Sequence, residues 1–169
     1  MAERPFLRWP DRRLRKVAAP VADIDDAIHA AWQDMADSMY AMPGVGLAGT
    51  QIGIMLRLAV VDCAAGRDQL VRMANPEVLE QSVKLRDHDE ASPNLPGVSA
   101  VISRPRAVLV AYLDETGARV ERDLVGLWAT SVQHQIDHLN GRMYFDHLGA
   151  VKRRMLLAKA AKRARFGAV

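Results

Sequence analysis

Apolar residues recur at three- and four-residue steps early in the chain, at Ile28, Ala31, Trp32, Met35 and Met39. On a helix that spacing lines one face, so an amphipathic helix is predicted over 24–42. Asp23 is the expected N-cap, and Asp26 lies near the positive end of the helix dipole. "MPGVGLAGTQIG" then breaks the pattern with Pro43 and glycines at 44, 46, 49 and 53. The period changes next. Short runs rich in branched apolar residues predict strands at 57–62, 69–76, 98–103, 106–114 and 118–124, with "ETG" at 115–117 a hairpin signal between the last two. A helical pattern returns at 126–140 and 150–165. Short strands flanked by helices, without regular alternation, predict an α+β fold with a mostly antiparallel sheet.

Composition narrows the class. The 169 residues are 50% hydrophobic and 25% charged, enough for one core, so a single domain is expected over 1–169. No repeat, low-complexity tract or linker divides it. The net charge of +3 is compatible with a polyanionic partner without establishing one. Cys63 is the only cysteine, which excludes an internal disulfide and points to a reducing, cytoplasmic setting. The opening "MAERPFLRWPDRRLRKV" lacks the apolar stretch of a signal peptide, and "AVLVAYL" at 107–113 is too short to span a bilayer. No membrane is expected. Cys63 reads as a packing residue, and Trp9, Trp32 and Trp128 as core or core-edge residues. The glycines of 44–53 lack the lysine and spacing of a phosphate loop.

The chemistry concentrates in "SVQHQIDHLNG" at 131–141. Residues four apart share a helix face, so His134 and His138 point the same way, as two ligands of one zinc or iron ion must. The same spacing also arises with either histidine as an ordinary core or surface residue. Asn140 and Gly141 are good helix-ending residues, and Asp137 is given no chemistry. Beside His134, where a metal-assisted hydrolase carries a glutamate base, stands Gln135. An amide can hold a water but cannot take its proton, and a lost general base typically costs ~10²- to 10⁴-fold in rate.

Taken in order, "FLRWPDRRLRKVAAPV", "GVGLAGTQIG", "NPEVLE" and "GLWATSVQHQIDHLNG" resemble segments of the peptide deformylase family, from about Leu7 to Leu157. The resemblance implies that family's fold, with sheets around a central metal-site-type helix and a C-terminal helix. It implies removal of the formyl group from N-formylmethionyl peptides, with formylated or nascent peptides as partners. It also implies one divalent transition metal (Fe, Zn or Ni). The family's second motif reads Glu-Gly-Cys-Leu-Ser, any residue, then Pro-Gly. Here "EASPNLPG" keeps Glu90, Pro96 and Gly97 but puts Ser92 in place of the ligand cysteine. Pro93 replaces the leucine whose N–H the resemblance assigns to the oxyanion, and proline has no N–H. Losing one such donor typically costs ~10²- to 10³-fold. Gln51, matching the other oxyanion donor, is retained.

With ligand, base and donor altered together, the expectation is a degenerate, inactive or strongly impaired deformylase-like protein, holding metal at reduced affinity or not at all. His88, Asp89 and Glu90 are open candidates for a replacement ligand. Around the implied substrate pocket, Val45, Gly46 and Leu127 keep their character, whereas His88 and Thr130 stand where the family is usually apolar. Two alternatives remain. One is an active hydrolase with an altered metal set or substrate. The other is a ribosome- or RNA-contacting protein using the basic helix at 152–165, which carries seven Lys or Arg (Lys152, Arg153, Arg154, Lys159, Lys162, Arg163 and Arg165) and no acidic residue.

Overall fold

The computed structural model describes residues 3–167; residues 1, 2, 168 and 169, the ends of the domain expected over 1–169, lie outside the described residues. Helix α1 spans Asp26–Ala41. Its cap is Asp25 rather than Asp23: the Asp25 carboxylate accepts the Ile28 N–H at 2.9 Å. "DIDD" offers three acidic candidates, and only the extended residue adjoining the first turn reaches an orphan N–H.

Five strands form one antiparallel sheet, in the order β1 (Gly46–Ala48), β2 (Leu58–Val61), β3 (Val71–Gln81), β6 (Ala107–Leu113) and β7 (Arg119–Val125). Strands β4 (Leu85–Glu90) and β5 (Ala100–Pro105) pair separately. The order explains why β2 is apolar at every position. Leu58 and Val60 pack with Trp32, Met35 and Met39 of α1, while Ala59 and Val61 pack on the opposite face with Ala129 and Val132. A strand covered on both sides needs no alternation. Those two residues belong to helix α2, Leu127–Leu139. One isolated parallel bridge, Ala19 to Leu56, is the exception to antiparallel pairing among the described residues.

A third cluster joins Leu7 and Leu14 near the N-terminus to Ile102 of β5, Phe145 and Ala160 of helix α3 (Ala150–Arg165). Two residues past the end of helix α2 stands Gly141, where φ is +72° and an added Cβ would lie 2.4 Å from the Arg15 carbonyl oxygen. Strand expectations also need correction: β3 runs over Val71–Gln81 rather than 69–76. β1 and β4 were not anticipated as strands, the first hidden in a glycine-rich loop and the second in the polar run "LRDHDE". Strand β5 also begins two residues later than expected, at Ala100. No described helix is long and apolar enough to cross a membrane.

Candidate active site

Strand β4 alternates as a strand must, but its inward face is polar: Arg86, His88 and Glu90 turn toward the molecule while Asp87 and Asp89 are exposed. Helix α2 answers with Thr130 and His134, one turn apart. Arg86 Nη1 donates to Thr130 Oγ1 at 3.1 Å, and Glu90 Oε1 lies 2.7 Å from His134 Nδ1. Between β4, α2 and the start of β1 runs a cleft of about 370 Å³. It gathers Val45, Gly46, Gln51, His88, Pro93, Leu127, Thr130, His134 and Gln135. Ser92 and His138 are buried behind its wall.

Glu90 is 4% exposed, and Arg104 reaches it with two hydrogen bonds of 2.6 and 3.0 Å. Burial pushes the Glu90 carboxyl up, but the hydrogen bonds and charges of His134 and Arg104 outweigh it and hold the group below its usual range. Arg104 continues to Asp137 at 2.9 Å, and Asp137 to His147 at 2.7 Å. Burial drives His138 well below an ordinary histidine, with the neighbouring His134 adding to the effect, so it is neutral near pH 7. An ionised Glu90 accepts from His134 Nδ1, and the Nε2 atoms of His134 and His138 lie 3.1 Å apart. Among the described residues the Nδ1 of His138 is buried without a partner.

The loop after β4 is organised by Asn94, which is 1% exposed. Its amide donates to the carbonyls of Leu7 and Gln51 at 2.6 and 3.0 Å. Its Oδ1 accepts from Ser92 Oγ at 2.9 Å and from Gln51 Nε2 at 2.8 Å. Gln51 also donates to Ser92 Oγ at 3.4 Å and accepts the Ala48 N–H at 2.9 Å, so both of its amide protons are engaged inside the protein. Gln135 sits beside Gly46, where an added Cβ would come within 2.7 Å of its Nε2. Among the described residues its Oε1 is buried and has no partner.

These donors do not fit a tightly held divalent cation. Two imidazole Nε2 atoms converge, as a pair of ligands would. The Ser92 hydroxyl is neutral and already hydrogen-bonded, and Glu90 is spent on Arg104 and on the far nitrogen of His134. Asp89 accepts from Ser99 Oγ at 3.0 Å. Among the described residues no cluster of three or more His, Cys, Asp or Glu side chains is arranged to hold a metal ion. A divalent ion wants anionic donors, and an unactivated hydroxyl is a weak substitute.

Several residues that shape the site are not singled out from sequence: Arg86, Asn94, Arg104 and Ser131, the last lining the cleft beside Gly46. Arg104 carried one signal, an inward strand position two residues from Ile102 on β5, but only the fold shows that it meets Glu90. Asp137, given no chemistry from sequence, is a partner of Arg104 and His147. Cys63 behaves as expected of a packing residue: burial pushes its thiol up to about 11, leaving it protonated at neutral pH.

Comparison with known proteins adds independent findings. The family model for polypeptide deformylase matches residues 3–154. A peptide deformylase of Methylocella silvestris is 42% identical over 173 residues, covering 99% of this chain and 88% of that protein. The crystal structure of a peptide deformylase from Legionella pneumophila superposes with a TM-score of 0.92 at 38% identity, covering 99% of this chain and 98% of the other. That of Synechococcus elongatus peptide deformylase in complex with actinonin gives 0.87 at 32% identity, covering 95% and 88%.

Proposed function

The chain belongs to the peptide deformylase family, and from that premise we propose that it is a cytoplasmic single-domain member whose cleft receives N-formylated peptides but removes the formyl group at a strongly impaired rate. The observation that carries this reading is the donor set around the cleft: two imidazoles, a hydrogen-bonded serine hydroxyl and a glutamine amide, with Glu90 committed to Arg104 and His134. Peptide deformylases use a divalent metal; here His134, His138 and Ser92 stand at the positions the resemblance gives to its ligands, and together they supply no negative charge.

The chemistry then follows from the residues themselves. Formyl transfer to water needs a proton acceptor beside the attacking oxygen and a donor at the developing oxyanion. Gln135 can orient a water through its unpartnered Oε1 but cannot become protonated near pH 7. Pro93 offers no N–H, and the Gln51 amide already donates to Asn94 and Ser92. Glu90 is charged but lies on the wrong side of His134 to serve as base. Binding remains open to such a site while turnover does not.

A formate-release assay on an N-formylmethionyl tripeptide, with iron or nickel supplied, tests this. The expected rate is ~10²- to 10⁴-fold below that of an ordinary family member assayed alongside. Comparable turnover would overturn the proposal in favour of an altered but working centre, the reading that the 3.1 Å approach of the two imidazoles favours.

A further inference from the structure

A second hollow, of about 510 Å³, shares no lining residue with the cleft. Its floor is written in α3: Leu157, Ala160, Ala161 and Ala164 recur at three- and four-residue steps and share one helix face. Alanine at three of these positions leaves a trough along the helix. Trp9 and Leu95 stand opposite, so both sides are apolar. The opposite wall is fixed by the fold. The Trp9 N–H donates to the Asn94 carbonyl at 2.8 Å, and the Trp9 ring meets Phe145 edge-on with centroids 5.0 Å apart. The Leu95 N–H donates to the Ser92 carbonyl at 3.0 Å. Preformed apolar hollows of ~300–1,000 Å³ with a few polar groups are where small organic ligands bind.

The charge around this hollow has one sign. Arg8 lines it, and its guanidinium donates to a neutral acceptor, the Pro93 carbonyl, at 3.3 Å. Arg163 crosses from α3 to the Gly97 carbonyl, next to Pro96 of the lining. Lys159 and Lys162 are exposed on the same helix, which carries no acidic residue. Among the described residues no carboxylate lines the hollow. Asp11, adjoining Pro10, is held by the Arg13 backbone N–H and guanidinium at 2.9, 3.1 and 2.7 Å. An apolar trough with cations at its mouth suits a molecule with a hydrocarbon body and one anionic head. The body leaves water along alanine and indole, and a carboxylate matches the planar fork of an arginine. A neutral molecule gains only the first of these, and a cation is repelled.

We propose that the hollow between α3 and the segments 8–10 and 94–96 binds a medium-chain carboxylic acid, its hydrocarbon chain along Ala160, Ala161 and Ala164 and its carboxylate at Arg8. The hollow is separate from the cleft, and the proposal stands or falls independently of what the cleft does.

Calorimetric titration of the full chain with octanoate, hexanoate, 1-octanol and octyltrimethylammonium, all below micelle formation, decides it. Octanoate should saturate at one site per chain. It should bind roughly tenfold or more tightly than hexanoate, since each buried methylene is worth about fourfold. Its advantage over 1-octanol should also be roughly tenfold, and octyltrimethylammonium should not bind. Ala161→Leu fills the trough from an exposed helix position and should weaken octanoate at least ~10-fold. Arg8→Glu should remove the advantage of octanoate over 1-octanol. The wild-type ranking of the four probes decides the matter if a variant fails to fold. Binding of octanoate that does not saturate, or 1-octanol equal to octanoate, overturns the proposal. So does octanoate affinity that both substitutions leave unchanged, which would place the molecule elsewhere on the chain.

Discussion

Gln135 and a glutamate differ by little in size and by a full charge in chemistry, and the same is true of Ser92 against a thiolate. Each side chain has a place in the fold: Ser92 donates to Asn94, and Gln135 packs beside Gly46. On the proposed reading, what such a site lacks is an anionic ligand for a dication and a group able to take a proton. Restoring both charges, with Ser92→Cys and Gln135→Glu together, should bring metal content close to one per chain after growth with iron or nickel, read by elemental analysis. Adding Pro93→Leu returns an N–H and should raise formate release by a further ~10-fold or more. If the double variant binds no more metal than wild type, Ser92 is not the residue at the ligand position. Asn94 was not legible at this scale. A polar residue in a loop says nothing of the carbonyls of Leu7 and Gln51, which meet it only through the fold.

At the scale of elements, α1 could be read from periodicity because its buried face is mostly apolar; α3 spans the expected 150–165. Strand β4 could not be read so, since it turns Arg86, His88 and Glu90 inward and its alternation is invisible when both faces are polar. The same helix α3 carries the partner reading. Lys152, Arg154, Lys159, Lys162 and Arg165 are exposed, with no acidic residue in the helix to oppose them. Contact with ribosomal RNA through this face predicts co-sedimentation with ribosomes that weakens at least ~10-fold between about 50 and 200 mM salt, as counterions are released. Replacing Lys159, Lys162 and Arg165 by Glu should abolish it, while His134→Ala should leave it unchanged. Ribosome association that survives the charge reversal would remove α3 as the contact.

The whole molecule depends on joining its N-terminal segment to the two closing helical segments, and one carboxylate does much of this. Asp146 accepts from Arg15, from the Met143 N–H at 2.8 Å, and lies 3.9 Å from Arg153 of α3. Partial burial pushes its pKa up, but the bonds from Arg15 and Met143 and the two positive charges outweigh this and hold it below the ordinary 3.8. A depressed folded value contributes stability that is complete above the ordinary value and fades as pH falls through the folded one. Asp146→Asn should therefore lower stability by ~1 kcal/mol at neutral pH, an amount reduced by the solvent exposure of Arg15. In denaturant melts the gap from wild type should narrow below pH 3.8. A gap independent of pH would show that the Arg15 and Arg153 pairing contributes nothing.

Residue order by itself determined the α+β class, the three helices, most strands of the large sheet and the paired histidines of α2, because each is written in spacings of a few residues along one element. It also set the chemical limits of the cleft, since an amide, a hydroxyl and a proline keep their protonation and hydrogen-bonding properties wherever they lie. Tertiary structure alone decided which polar groups meet. Glu90 is committed to Arg104, the amide protons of Gln51 to Asn94 and Ser92, and Arg86 to Thr130. Those partners stand 14 to 44 residues apart, and no local pattern encodes a contact made only when two elements pack.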